Sequence, residues 1–191
     1  MVRMGKAVLA TRMVAWAMFA WAMLAWAMLG AVPGAAQEVA AKKAACQPGI
    51  GCVTGRPLPR FVALKTDEGN VRRGPGAEHR IDWVLRRAGM PLKLTAEFDN
   101  WRRIEDADGE GGWMHYALLS GSARSVLVTQ DLTEFLARPD DLAEVVFQAE
   151  KDVIGRVLEC SIDWCRVSAG GERGWVRKGA LWGVDPQEVI E

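Results

Sequence analysis

Residues 101–115 have the sequence WRRIEDADGEGGWMH, and residues 164–176 have the sequence WCRVSAGGERGWV. Each stretch begins with a tryptophan, continues through a short strand candidate into a glycine-containing turn, and then reaches Gly-Trp followed by an apolar residue. Two such strand candidates on either side of a turn predict a β-hairpin. The chain therefore carries the same hairpin twice, with Trp164 standing 63 positions after Trp101.

The duplication extends to both sides of this hairpin at a nearly constant offset. Residues 71–75 (VRRGP) match 135–139 (FLARP), and residues 83–85 (WVL) match 145–147 (VVF). Several matches in the same order indicate an internal duplication with units of about 60 residues, which is a tandem pair rather than a solenoid.

Short strands and glycine-rich turns dominate each unit, and no stretch keeps a helical period over a dozen residues. Five or six short strands in a unit of this size can hide their edges by curling into a small barrel. The sequence therefore predicts an all-β fold with two tandem small β-barrels after an N-terminal signal peptide and a short linker. The predicted boundaries are 1–36 for the signal peptide, 37–59 for an Ala/Gly/Pro-rich linker, 60–122 and 123–185 for the repeats, and 186–191 for a C-terminal tail.

Asn70-Val71-Arg72 followed by Gly74-Pro75-Gly76, with a Gly-Trp-apolar triplet near each repeat end, resembles the bacterial SH3-like domain family. More narrowly, the chain resembles the exported double-repeat members of Gram-negative bacteria. The resemblance implies SH3-like barrels, a cell-envelope binding or targeting role often tied to peptidoglycan, and no catalysis. It also makes Asn70 and Arg72 candidate ligand-binding residues in the first repeat only, because the second repeat has Glu134 and Leu136 there.

Four further candidate ligand-binding residues follow from the alternation of side chains along a strand. Trp101 and Arg103 fall on the face opposite Ile104, and Trp113 and His115 share the corresponding face of the next strand. These side chains could form a stacking platform for a sugar or a peptide. The alternative is that the tryptophans cover the open ends of the barrel and belong to its framework.

The four cysteines form two local pairs, Cys46 with Cys52 and Cys160 with Cys165. An even number of cysteines in an exported chain predicts disulfides, and the short spacing favours local pairing among the three possible connectivities. The alternative is a four-thiolate zinc site, which usually has gaps of two residues rather than the gaps of five and four found here.

Strand alternation also predicts the surroundings of the second pair. A tight turn at 161–163 would place Cys160 opposite Cys165 and Leu158 opposite Val167, all on the core face. The equivalent positions in the first repeat are Glu97 and Arg102. These two residues could form a cross-strand ion pair, or they could be two unrelated solvated positions.

The first 36 residues have the pattern of a secretion signal. Arg3, Lys6 and Arg12 are their only charged residues, residues 14–32 carry no charge, and small residues follow Pro33. This pattern predicts cleavage after about Ala36 and a periplasmic protein without membrane contact afterwards. The alternative is an uncleaved leader that anchors the protein in the inner membrane, since about 20 apolar residues suffice to cross a bilayer.

Composition narrows the classes of function. Without the leader, 21 basic and 24 acidic residues give a net charge of −3, which disfavours nucleic acid as a partner. The two histidines show no metal-ligand spacing, and Asp106, Asp108 and Glu110 are typical of a solvated turn rather than a calcium loop. We therefore expect no enzyme activity, no metal and no cofactor.

These observations favour a non-catalytic periplasmic protein that binds peptidoglycan or another envelope component. One alternative is a scaffolding protein whose paired barrels bind an envelope protein. Another is an accessory subunit that positions a separate cell-wall hydrolase.

Export with cleavage can be checked directly. We expect the N-terminus of the mature protein, isolated from the periplasmic fraction and sequenced, to begin at Gln37 or within a few residues of it, because the small residues before Gln37 suit signal peptidase. A full-length product in the membrane fraction would contradict the prediction.

Overall fold

The computed structural model describes residues 47–191, which belong to one compact unit. They form two antiparallel sheets, one from each repeat, and two single 3-10 turns (Tyr116–Leu118 and Lys178–Ala180). Sheet 1 contains β1 (Arg60–Leu64), β2 (Gly69–Arg72), β3 (Ile81–Leu85), β4 (Pro91–Phe98), β5 (Trp101–Glu105), β6 (Gly111–His115) and β7 (Leu119–Ser120). Sheet 2 contains β8 (Ser125–Val128), β9 (Thr133–Leu136), β10 (Val145–Ala149), β11 (Ile154–Cys160), β12 (Trp164–Ala169), β13 (Glu172–Arg177) and β14 (Leu181–Trp182).

Strand order is identical in the two sheets, which confirms the all-β fold in tandem units. Sheet 1 has the order β3-β2-β6-β5-β4-β1-β7, and sheet 2 has the order β10-β9-β13-β12-β11-β8-β14. Each sheet has seven strands rather than five or six. The first and last strands of a sheet are not hydrogen-bonded to each other, so the sheets are SH3-like but do not close into complete barrels. The last strand of each is only two residues long, which limits the unpaired edge.

Each sheet has its own apolar core on its inward face. In sheet 1, Val71, Ile104 and Met114 are at most 1% exposed and alternate with outward residues along β2, β5 and β6. In sheet 2, Phe135 and Val176 occupy equivalent inward positions and are equally buried. This alternation confirms the predicted inward orientation of Ile104 and fixes which residues of the hairpins face outward.

A β-bulge interrupts the pairing of the equivalent two strands in both repeats. The pairing of β4 with β5 shifts between Leu94 and Ala96, and the pairing of β11 with β12 shifts between Val157 and Glu159. The prediction that Leu158 opposes Val167 is therefore wrong, because Leu158 is the extra residue of the bulge and Val157 takes the position opposite Val167.

The Cys160–Cys165 disulfide is confirmed, with the two residues directly paired across β11 and β12 and their Cα atoms 4.0 Å apart. Both cysteines belong to the core of sheet 2, as predicted. This bond excludes a four-thiolate zinc site that includes these two sulfurs. Cys52 is also disulfide-bonded, but Cys46 lies outside the described residues, so the Cys46–Cys52 pairing stays a prediction.

The predicted signal peptide also lies outside the described residues. Within residues 47–191, no helix is long and apolar enough to span a membrane.

The two sheets meet through an aromatic contact. The ring of Phe61 on β1 packs edge-on against the ring of Trp182 on β14, with centroids 5.2 Å apart. Gly183 follows with a positive φ of 118°, and a Cβ there would lie 2.5 Å from the carbonyl oxygen of Ser125 and 2.9 Å from Pro91. A glycine is required at this position because the backbone of the second repeat and the Pro91 side chain of the first both approach it closely.

Removing the Cys160–Cys165 bond should weaken sheet 2 selectively. We expect the double substitution Cys160→Ala, Cys165→Ala to lower the free energy of unfolding by about 2 kcal/mol, since the closed loop is short. Hydrogen-exchange mass spectrometry should show faster exchange in peptides of sheet 2 and unchanged exchange in sheet 1. Equal acceleration in both sheets would contradict this prediction.

Candidate functional site

The outward side of the β5–β6 hairpin brings four predicted site residues together. Trp101, Arg103, Trp113 and His115 alternate with the buried residues of these strands, so all four lie on one face of sheet 1. The two tryptophans and the histidine are half-buried, and Arg103 is exposed. We refer to these four residues as the outer aromatic face.

Cross-strand pairing sets the geometry of this face. Trp101 is paired with His115, and their rings meet edge-to-face with centroids 5.6 Å apart. Arg103 is paired with Trp113 on the same strands. An aromatic pair of this kind stabilises the hairpin, and the exposed parts of both indoles remain available for contact with a ligand.

His115 also has a local structural role. Its Nδ1 accepts a hydrogen bond from the backbone N–H of Ala117 and so caps the 3-10 turn that follows β6. Its ring lies 4.9 Å from the ring of Tyr116, which is half exposed. The imidazole is therefore held in place by its neighbours before any ligand arrives.

Asn70 and Arg72, the other predicted ligand-binding residues, lie half-buried on the outward side of β2. Arg72 is paired with Trp113, so it adjoins the outer aromatic face. Its guanidinium donates hydrogen bonds to the backbone carbonyls of Ala77 and His79, at 2.8 and 2.6 Å. Arg72 thus supports the loop after β2.

The equivalent face of sheet 2 is covered. Trp164, the counterpart of Trp101, is only 8% exposed and packs in a cluster with Leu136 and Ala143. The guanidinium of Arg177, the counterpart of His115, lies 4.1 Å from the Trp164 ring and forms an ion pair with Asp141. In the second repeat this tryptophan is framework, which leaves the first repeat with the open face.

Glu97 forms a site that sequence analysis recognised only in part. Its side chain is fully buried and lies 3.8 Å from Arg102, so the predicted pair exists but is not solvated. The main partners of the carboxylate are elsewhere: it accepts hydrogen bonds from the backbone N–H groups of Val53 and Thr54, from the Thr54 hydroxyl, and from Arg60 at 2.8 Å. Comparison of the two repeats singled out position 97. Nothing in the sequence, however, indicated that Val53 and Thr54, which precede β1, would bind its carboxylate.

These bonds fix residues 47–59, which we call the strap, against sheet 1. The strap has its own turns, including hydrogen bonds from Gly51 N–H to the Arg56 carbonyl and from Leu58 N–H to the Gly49 carbonyl. A Cβ on Gly51 would lie 2.5 Å from the Glu97 carboxylate, so the close approach requires glycine. This segment was predicted to be a linker, and its described part is folded onto the first repeat.

The charge of Glu97 follows from the same contacts. Burial alone would raise the pKa of Glu97, but hydrogen bonds from Arg60, Thr54 and Val53 outweigh burial and lower its pKa from 4.5 to about 2. The carboxylate is therefore ionised at every physiological pH, and its charge is compensated by one cation and several donors.

The acidic turn between β5 and β6 is organised by its own hydrogen bonds. One oxygen of the Asp106 carboxylate accepts from the N–H groups of Asp108 and Glu110, at 3.1 and 2.9 Å. Across residues 47–191, no group of His, Cys, Asp and Glu side chains is arranged to hold a metal ion.

Comparison with known proteins agrees with this architecture. The model of the bacterial SH3 domain matches residues 65–121 and 133–183, which together make up more than half of the chain. The chain belongs to the bacterial SH3 domain family. The two matched segments cover β2–β7 of sheet 1 and β9–β14 of sheet 2, so the predicted family resemblance is confirmed and each sheet contains one matched SH3 domain.

Among curated proteins, a similar one is the putative N-acetylmuramoyl-L-alanine amidase YrvJ of Bacillus subtilis (strain 168), with 27% identity over 125 residues. The match covers 60% of this chain but only 24% of the amidase. Similar solved structures are NlpC2 and NlpC1 of Trichomonas vaginalis, at 12% and 11% identity. They cover 66% and 71% of this chain and 50% of each of those chains, both with a TM-score of 0.31.

The Glu97 contacts predict a pH-dependent contribution to stability. We expect Glu97→Gln to lower the free energy of unfolding at pH 7 by about 1.5–3 kcal/mol, the usual contribution of a hydrogen bond to a charged group. The pKa of Glu97 is lower in the folded state than in the unfolded state. Its contribution to the free energy of unfolding is therefore complete above about pH 4.5 and is lost as the pH falls through about 2.

Denaturant titrations of the wild type and the variant at several pH values should therefore converge as the pH approaches 2. The matched control is Glu159→Gln, whose carboxylate pairs with Arg166 at the surface of sheet 2, 42% exposed. That substitution should cost only about 0–1 kcal/mol at any pH. A constant difference between wild type and Glu97→Gln from pH 2 to pH 7 would show that the charge of Glu97 is irrelevant.

Proposed function

We propose that this protein is a non-catalytic binding module of the bacterial cell envelope that recognises peptidoglycan with the outer aromatic face of its first SH3 domain. The observation that carries the proposal is the difference between the two domains. Trp101 lies on an open face, whereas its counterpart Trp164 is buried beneath Leu136 and Ala143. An open aromatic surface in only one of two duplicated units favours a binding role for that unit.

The chemistry of the face suits a glycan with attached peptides. Indole rings offer broad apolar surfaces on which the C–H faces of a sugar can stack, and they cost little conformational entropy to order. Arg103 is exposed beside Trp113 and can donate several hydrogen bonds to hydroxyl, carbonyl or carboxylate oxygens. Stacking and donation at adjacent positions would together orient the ligand.

The comparisons support a role at the cell wall without assigning catalysis. The name of the Bacillus relative describes a putative amidase, and this chain spans about a quarter of that protein's length. We infer that the shared portion contributes binding rather than bond cleavage. The predicted leader, residues 1–36, supports a place of action in the periplasm.

The decisive experiment is co-sedimentation of the purified mature protein with isolated sacculi. Trp101→Ala and Trp113→Ala should each weaken binding by about 2- to 13-fold, which corresponds to the loss of one stacked ring. Trp83→Ala is the matched control, because Trp83 is 50% exposed on edge strand β3 and lies outside the outer aromatic face.

The alternatives predict different results. If the wild type stays in solution, the scaffolding role replaces peptidoglycan binding. If Trp83→Ala weakens sedimentation as much as the other two substitutions, the outer aromatic face is not the site. If Trp101→Ala and Trp113→Ala reduce the melting temperature by many degrees, these residues are framework, as Trp164 is in the second repeat.

A further inference from the structure

A cleft of about 440 Å³ lies between the strap and the adjoining parts of both repeats. This volume falls within the range of small-molecule sites. Pro57 and Phe61 contribute apolar surface to its wall. The charged residues that line it are Arg56, Arg60, Lys93, Arg124, Asp185 and Glu188. We refer to this space as the inter-repeat cleft.

Two of the four cations are already neutralised. Arg60 donates to the buried carboxylate of Glu97, and Arg124 forms an ion pair with Glu188. Arg60 also donates a hydrogen bond to the Pro57 carbonyl in the strap, and the Arg124–Glu188 pair holds the C-terminal segment, so both cations help to shape the cleft. Their charges contribute little to attraction of a ligand.

The other two cations are available. Within residues 47–191, Arg56 and Lys93 form no ion pair, and the Lys93 ammonium lies 5.9 Å from the ring centroid of Trp182. Asp185 is the remaining carboxylate in the cleft, and one of its oxygens accepts a hydrogen bond from the Gln187 N–H. The cleft therefore carries an excess of positive charge.

Trp182 provides a second, independent observation. Its Nε1–H is buried and has no hydrogen-bond partner in the described part of the chain. The indole contacts Phe61 and Lys93, both of which line the cleft. Buried donors are normally satisfied, so an unpaired N–H on an indole that adjoins the free cation Lys93 is unusual in a purely structural junction.

We propose that the inter-repeat cleft binds an oxyanion-bearing molecule, a carboxylate or a phosphate compound of about disaccharide size. Arg56 and Lys93 supply charge-assisted hydrogen bonds to the oxyanion, and Phe61 and Pro57 contact the rest of the molecule. This site is separate from the outer aromatic face, and its existence does not depend on peptidoglycan binding there. Because it is built from the strap and both repeats, a single SH3 domain would not contain it.

Isothermal titration of the purified mature protein with citrate and with pyrophosphate tests the proposal and distinguishes carboxylate from phosphate recognition. Arg56→Gln and Lys93→Gln should each raise the Kd of the preferred anion about tenfold, the effect of losing one charge-assisted hydrogen bond. Lys151→Gln, at an exposed cation in the turn between β10 and β11 and outside the cleft, should leave the Kd unchanged. Trp101→Ala should also leave it unchanged, which separates this site from the outer aromatic face.

Three results would overturn the proposal. The first is absence of heat with both anions. The second is an equal effect of Lys151→Gln, which would indicate nonspecific attraction. The third is binding of the uncharged disaccharide of N-acetylglucosamine as tight as that of the anions and insensitive to Arg56→Gln and Lys93→Gln.

Discussion

Burial of a single face in each small sheet is the constraint on which this structure depends. A unit of about 60 residues buries too little apolar surface to tolerate errors on its inward face. In sheet 1, the inward positions of β5 and β6 include Ile104 and Met114, which are almost completely buried. Since side chains alternate along a strand, the same two residues force Trp101 and Trp113 outward. The outer aromatic face is thus a consequence of how the core is packed.

The last inward position before the turn of the bulged hairpin is stabilised in a different way in each repeat. In sheet 2 it holds Cys160, which is bonded to Cys165 and whose backbone pairs with Ile190 near the C-terminus. In sheet 1 it holds Glu97, whose buried charge requires compensation and obtains it from the strap. Each repeat uses this position to secure an adjacent chain segment, one with backbone hydrogen bonds and the other with a carboxylate.

The difference between the two outer faces has an equally local origin. Arg72 in the first repeat and Leu136 in the second occupy equivalent positions, each paired with the tryptophan that recurs in both repeats, Trp113 and Trp175 respectively. Leu136 closes an apolar cluster over its face, whereas Arg72 directs its guanidinium to the loop after β2. One substitution between duplicated units therefore accompanies the change from a covered face to an open one.

The sequence alone determined the duplication, the β-structure, the outward placement of the tryptophans and the Cys160–Cys165 bond. Each of these follows from periodicity or spacing within about 60 residues, where strand alternation and short turns leave few arrangements. Tertiary structure alone decided the bulge at Leu158, the burial of Glu97 and the inter-repeat cleft. A bulge depends on how two strands fit together, and the partners of Glu97 lie more than 35 residues away at Thr54 and Arg60. A local sequence pattern cannot predict a contact that forms only when segments distant in the sequence pack together.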